Sequence, residues 1–247
     1  MLSKSKINEY LLLSIPILLI SGPFLPDLVV GIFFLYSIYL IFNKKIIINK
    51  NLKYFCFLFL LFYSFSLLSS FFSVEKFISL KSSLPYIRYL GFVIVLYYLF
   101  SKNNDIIKKL GFIILIISLL LLFDFVLILL FGFNISGDQL KDQRFSSFFG
   151  SEEVMGSYMA RLAPFIFISI FLINEIKVRK NLFIFSVLII GFLILLSGER
   201  TALVSYSLLL LIIFLFFSET RKSLLTMFVF FIFSIITLMF FFPNNKL

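Results

Sequence analysis

The run Leu110-Gly-Phe-Ile-Ile-Leu-Ile-Ile-Ser-Leu-Leu-Leu-Leu-Phe-Asp124-Phe-Val-Leu-Ile-Leu-Leu-Phe-Gly132 decides the fold. Its 23 residues carry one ionisable side chain, Asp124. A helix rises about 1.5 Å per residue, so this stretch reaches across a hydrocarbon core of ~30 Å. It lacks the apolar and polar alternation of a barrel strand, so a membrane helix is the reading that satisfies its backbone in lipid.

The same pattern recurs on both sides. Reading apolar runs against polar breaks gives nine expected helices, at 9–22, 27–42, 54–72, 84–100, 110–132, 153–173, 182–197, 200–217 and 224–242. The first is interrupted early by Gly22, Pro23 and Pro26. With 62% hydrophobic and 14% charged residues, the chain has too little polar surface for a soluble domain. The expected architecture is all-α: a polytopic helical bundle forming a single transmembrane domain over 1–247, with no internal repeat. Lys4 and Lys6 followed by Leu11–Ile20 resemble a signal peptide, but without a convincing small-residue cleavage site the first span reads as an uncleaved anchor.

The net charge of +10 resides in short breaks between apolar runs, which points to membrane orientation and away from nucleic acid. With the N-terminus inside, the inner segments hold fourteen basic residues and the outer ones eight, and nine spans place the C-terminus outside. The outer segments are then 22–26, 73–83, 133–151, a tight turn at Gly198 and the tail. Only 133–151, between the fifth and sixth helices, is long enough to be a substantial loop. The lone cysteine, Cys56, lies within an apolar segment and reads as a small core residue.

Lysine outnumbers arginine sixteen to six, yet four arginines, Arg88, Arg144, Arg161 and Arg200, fall on the outer side. A guanidinium stays charged and binds phosphate oxygens bidentately, whereas lysine is a flexible point charge. Arg144 sits in the outer loop, which descends through Ser151-Glu-Glu153-Val-Met-Gly156-Ser157-Tyr158-Met-Ala-Arg161 into the sixth helix. Glu153, Ser157 and Arg161 recur every four residues and share one helix face. An arginine below the interface is costly unless it faces protein, a carboxylate or a bound anion. Ser151 and Glu152 also fit the plainer role of capping the start of that helix. Gly156 and Ala160 suit close helix packing, and Pro164 suits a kink.

A second constellation, Ser197-Gly198-Glu199-Arg200-Thr201-Ala202, reads as a sharp turn between the seventh and eighth helices. Gly198 permits the turn, and the free amides opening the next helix join Arg200 in a plausible phosphate seat. The plain alternative is a turn with a snorkelling Arg and a Glu partner. Arg88 lies one turn into the fourth helix, and Asp124 is either a functional intramembrane acid or a counter-charge for an outer arginine. The chain has no histidine, no acidic triplet at metal-ligand spacing, no Gly-rich nucleotide loop and no serine-hydrolase elbow. Zinc hydrolysis and ATP-driven transport are therefore not indicated, and neither metal nor cofactor is expected.

Arg144 through Pro164, followed by Ser197-Gly-Glu-Arg-Thr-Ala202, resembles the O-antigen ligase and O-antigen polymerase family of bacterial envelopes. The resemblance covers about residues 140–205. It implies a metal-independent glycosyltransferase of lipopolysaccharide or polysaccharide biosynthesis in the bacterial inner membrane, working at the periplasmic face. Its donor would be a glycan linked through diphosphate to undecaprenol, and its acceptor a sugar or the lipid A-core. On that reading Arg144, Arg161 and Arg200 bind the diphosphate, and Glu153 orients an arginine or the acceptor hydroxyl. Arg88, Ser157, Tyr158, Glu199 and Thr201 are further candidate substrate contacts. Members of the family usually carry about twelve spans and a late outer loop with a histidine, so the expectation is that this chain corresponds to the N-terminal, donor-side part. The spacing between Arg144 and Gly156 leaves polymerase and ligase open.

Two other classes compete. A lipid-linked glycan flippase or other secondary transporter needs ionisable groups near the midplane, where Asp124 is the one candidate. A non-catalytic membrane protein of envelope assembly needs none of the arginines.

Overall fold

The computed structural model describes residues 4–47, 49–135, 137, 145–150, 152 and 154–227. Helix makes up 85% of the described residues, and no strand occurs among them. In order, the elements are α1 (Lys4–Leu18), α2 (Phe24–Phe42), α3 (Lys50–Phe71), α4 (Lys76–Ser83), α5 (Ile87–Lys102), α6 (Asp105–Phe131), α7 (Met155–Phe171), α8 (Ile176–Ser197) and α9 (Arg200–Phe216). Residues 218–227 are also helical. Among the described residues, five stretches are long and apolar enough to cross a membrane: Phe24–Phe42, Lys50–Phe71, Lys76–Lys102, Asp105–Phe131 and Ile176–Ser197. The all-helical class read from the sequence is therefore observed, with helices of the length and apolarity that a membrane span needs. α7 and α9 are apolar but shorter, at 17 residues each. Most of the span expected at 224–242 lies outside the described residues.

The chain divides into two compact units, Met1–Ile106 and Ile107–Leu247. In the first, α2 packs along α5. Phe33 and Leu40 of α2 are buried with Val95 and Leu99 of α5, and Leu12 of α1 joins the cluster. Gly91 makes the approach possible, since a Cβ there would lie 2.9 Å from the Phe34 Cα. α3 starts where Asn49 Oδ1 accepts the Leu52 amide at 2.9 Å, an N-cap. Much of α3 is bare: Phe57, Phe62 and Phe65 are each 63% exposed. Water would penalise such an apolar face, and lipid would not.

One boundary differs from the sequence reading. Residues 73–83, expected as an outer loop, are mostly helical: α4 fills 76–83 and continues through a single 3₁₀ turn, Leu84–Tyr86, into α5. No glycine interrupts the segment, and Pro85 falls within that opening turn, where a missing N–H is tolerated. Serine hydroxyls bond locally there, Ser70 to Ser83 at 3.0 Å and Ser73 to Ser79 at 2.8 Å.

In the second unit α7 is the central element. Met155, Met159, Ala163 and Ile166 are buried along it, as are Ile190, Leu193 and Ile194 on α8, and α7 packs against both α8 and α9. The Tyr206 hydroxyl donates to the Val187 carbonyl at 2.9 Å, tying α9 to α8. α7 runs through Pro164 without ending. At the far end of α9, Arg221 donates to the Phe214 and Leu215 carbonyls at 2.8 and 2.7 Å, and Arg179 pairs with Glu219. The cation satisfies carbonyls that a helix C-terminus leaves open.

Candidate functional site

The site is built where the α8–α9 turn meets the start of α7. α8 ends because Gly198 adopts the left-handed conformation, φ 67° and ψ 8°, which a side chain would resist. The turn then places Glu199 as the residue preceding α9, with no side-chain cap of its own helix. Its carboxylate reaches instead to the first turn of α7. Oε1 accepts the Gly156 amide at 2.6 Å, the Ser157 amide lies 3.2 and 3.1 Å from the two oxygens, and the Ser157 hydroxyl donates to Oε2. Glu199 thus caps a helix that begins more than forty residues earlier in the chain.

This arrangement explains two features of α7. The helix begins at Met155, two residues beyond the expected boundary, and its preceding residue, Val154, supplies no side-chain cap. Glu152, the cap favoured by local sequence, is exposed, and its amide donates to the Phe149 carbonyl at 3.1 Å. Gly156 is needed because a Cβ would collide with the Ser197 hydroxyl and lie 3.0 Å from Glu199 Oε1. The glycine read as a close-packing position is one, against Ser197 of α8, and its amide also seats the Glu199 carboxylate.

The descending loop is anchored beside this junction. Asp124 is fully buried in α6. Its two oxygens accept the Ile135 amide at 2.8 Å and the Ser147 hydroxyl at 2.6 Å. One side chain therefore holds one residue of the 133–151 segment near its start and another near its end, and Ser147 adopts a positive φ of 51°. Phe145 is buried, its ring edge-on to Phe125 at 5.3 Å, and its amide donates to the Leu196 carbonyl at 3.2 Å, near the end of α8. The acid that looked like a midplane functional group or a counter-charge for arginine is engaged by an amide and a hydroxyl.

No protein-family model, curated protein or solved structure matches this chain.

The expected site residues divide as follows. Ser157, Glu199, Arg200 and Thr201 meet at the α7–α9 junction, and Arg161 lies one helical turn below Ser157 on the same face. Arg161, Arg200 and Thr201 are exposed. Tyr158 is 7% exposed, its ring packed against Phe149 at 5.2 Å, so its aromatic body serves the junction's packing. Arg88 belongs to the first unit, where it pairs with Asp27 at 2.8 Å and stands over the Tyr89 ring at 5.3 Å. Arg144 and Glu153 lie outside the described residues. Among the described residues no cluster of three metal-ligating side chains occurs.

The electrostatics follow from which partner Glu199 takes. A carboxylate next to Arg200 in sequence is the obvious counter-charge, but it is held by amides and a hydroxyl of α7. No ion pair joins Arg200 or Arg161 to an acid among the described residues. Arg200 opens α9 and Arg161 lies in the second turn of α7, both exposed, and a guanidinium and the first amides of a helix each favour an anion. Sequence reasoning offered Arg161 and Arg200 as candidate anion ligands and gave Glu199 either a substrate contact or the part of an arginine's partner. Its capping role leaves no local signal, because donor and acceptor are 42 and 43 residues apart.

Proposed function

We infer that this protein is a membrane glycosyltransferase of the O-antigen polymerase and ligase type. It transfers a glycan from an undecaprenyl diphosphate carrier to a sugar or lipid A-core acceptor, at the periplasmic face of the bacterial inner membrane. The single observation that carries the reading is the pairing pattern at the α7–α9 junction. Glu199 is engaged by the α7 amides, while Arg161 of α7 and Arg200 at the start of α9 remain exposed. Two guanidinium groups suit a diphosphate, whose charge rises as the glycosyl bond breaks, and they stabilise the departing group without a metal.

In this scheme Arg161 and Arg200 hold the diphosphate, Thr201 offers a hydroxyl beside it, and Ser157 and Glu199 keep the two helices in register. Arg144 and Glu153 complete the donor side from the outer loop. Nine spans with the N-terminus inside accompany the reading, since that orientation follows the lysine bias and puts both arginines outside. The transporter alternative loses its main support, because Asp124 is committed to the loop.

The test is binding of undecaprenyl diphosphate to the purified, reconstituted chain, together with the length distribution of surface glycan in producing cells. Arg200→Lys keeps the charge and loses the bidentate fork, so affinity is expected to fall about tenfold or more and the glycan ladder to collapse. Unchanged affinity in an Arg161→Lys, Arg200→Lys double variant sinks the assignment.

A further inference from the structure

At the α3–α4 corner of the first unit, Phe72, Val74, Phe77 and Ile78 are between 62% and 103% exposed. They are interspersed with Ser73, Glu75, Lys76, Ser79 and Lys81, so large apolar side chains project from a stretch that is otherwise polar. The corner is braced from within. The Ser70 hydroxyl donates to Ser83 at 3.0 Å and that of Ser73 to Ser79 at 2.8 Å, which pins α4 along the end of α3. Ser79 and Ser83 therefore turn towards α3, and Phe77, Ile78 and Lys81 occupy the opposite, exposed face of α4. Lys76, also exposed, opens the helix. Among the described residues no ion pair engages either lysine.

We propose that this corner seats in the headgroup layer of an anionic phospholipid membrane. Phe72, Val74, Phe77 and Ile78 enter the acyl boundary, and Lys76 and Lys81 meet lipid phosphates. Three observations select that occupant. The apolar surface continues the bare face of α3, where Phe62, Phe65 and Leu68 lead at helical spacing into Phe72. The depth also fits: the 22 residues of α3 rise about 33 Å, enough to fill a hydrocarbon core of ~30 Å. Ser83 lies beside Ser70, near the end of α3, so the rest of α4 falls past the core, at the level of the headgroups. Finally, one face that combines apolar bodies with ammonium groups is the pattern by which a helix lies in a membrane interface.

This placement involves the first unit alone and holds whether or not the chain transfers a glycan. The apolar side chains set the depth, and the lysines set the choice of lipid. Each lysine near an anionic surface is expected to enrich anionic lipid roughly fivefold.

The chain has no tryptophan, so Phe77→Trp in the full chain, reconstituted in vesicles of phosphatidylcholine and phosphatidylglycerol, gives a single reporter. Val74→Trp gives a second, should the first disturb the corner, and circular dichroism with gel filtration confirms that each variant is folded. The expected result is blue-shifted emission, little quenching by aqueous iodide, and stronger quenching by lipids brominated near the ester carbonyls than by lipids brominated in mid-chain. Brominated phosphatidylglycerol is expected to quench more than brominated phosphatidylcholine at equal mole fraction, and Lys76→Gln with Lys81→Gln to remove the difference. Water-like emission with full iodide access at both reporters overturns the proposal and leaves the corner to a soluble partner. Strongest quenching by mid-chain bromines overturns it too, because α4 then lies within the hydrocarbon. A phosphatidylglycerol preference that is absent, or that survives loss of both lysines, also overturns it.

Discussion

Replacing Glu199 by Gln tests the junction on which the functional reading depends. The wild-type carboxylate accepts from three donors, the amides of Gly156 and Ser157 and the Ser157 hydroxyl. Glutamine keeps the shape but retains one acceptor oxygen, turns an NH₂ group towards donors, and removes the negative charge from a helix N-terminus. Hydrogen bonds to a charged group contribute about 1.5–3 kcal/mol each, and the charge–dipole interaction about 0.3–1 kcal/mol. Glu199 and Ser157 are half-buried, so water replaces part of the loss and the expected cost is about 2–3 kcal/mol. For a domain of this size that corresponds to a fall in Tm of roughly 5–10 °C. The assay is heating in detergent followed by gel filtration, scoring the remaining monodisperse protein. A double-mutant cycle with Ser157→Ala isolates the hydroxyl bond and is expected to return a coupling of about 1 kcal/mol. Gly156→Ala approaches the same contact from the other side and should lower Tm by a similar amount. A Glu199→Gln variant within about 1 °C of wild type, with no coupling to Ser157, refutes the long-range cap.

Two further outcomes follow from particular residues. Asp124→Ala leaves the Ile135 amide and the Ser147 hydroxyl without their acceptor, which should cost about 2–4 kcal/mol and speed amide hydrogen exchange in residues 133–135 and 145–150. Unchanged exchange there would show that Asp124 does not hold the loop. Gly198→Ala forces a side chain into the left-handed region and should destabilise by about 1–2 kcal/mol; a neutral effect in the same heating assay contradicts the observed turn.

The parts of the fold legible in the sequence are those set by local composition. The length and apolarity of 110–132, 27–42 and 54–72 suffice to make them membrane helices, because a helix satisfies its own backbone wherever it lies. Glycine at 198 suffices to end α8, because the left-handed conformation is a property of one residue. The boundary at 73–83 was harder to read. A polar stretch between apolar runs resembles a loop, whereas paired serine hydroxyls let it continue as helix.

What only the tertiary structure decided is the pairing of charges. Glu199 stands beside Arg200 in the chain and looks like its counter-ion, and Asp124 stands alone in an apolar run and looks like a functional acid. Each is engaged by amides and hydroxyls brought to it by packing, at separations of 42 and 43 residues for Glu199 and 11 and 23 for Asp124. Sequence spacing determines which side chains share a helix face, but which donor meets a given carboxylate depends on how closely the helices approach. That approach depends on Gly156 and on the direction in which Gly198 turns the chain.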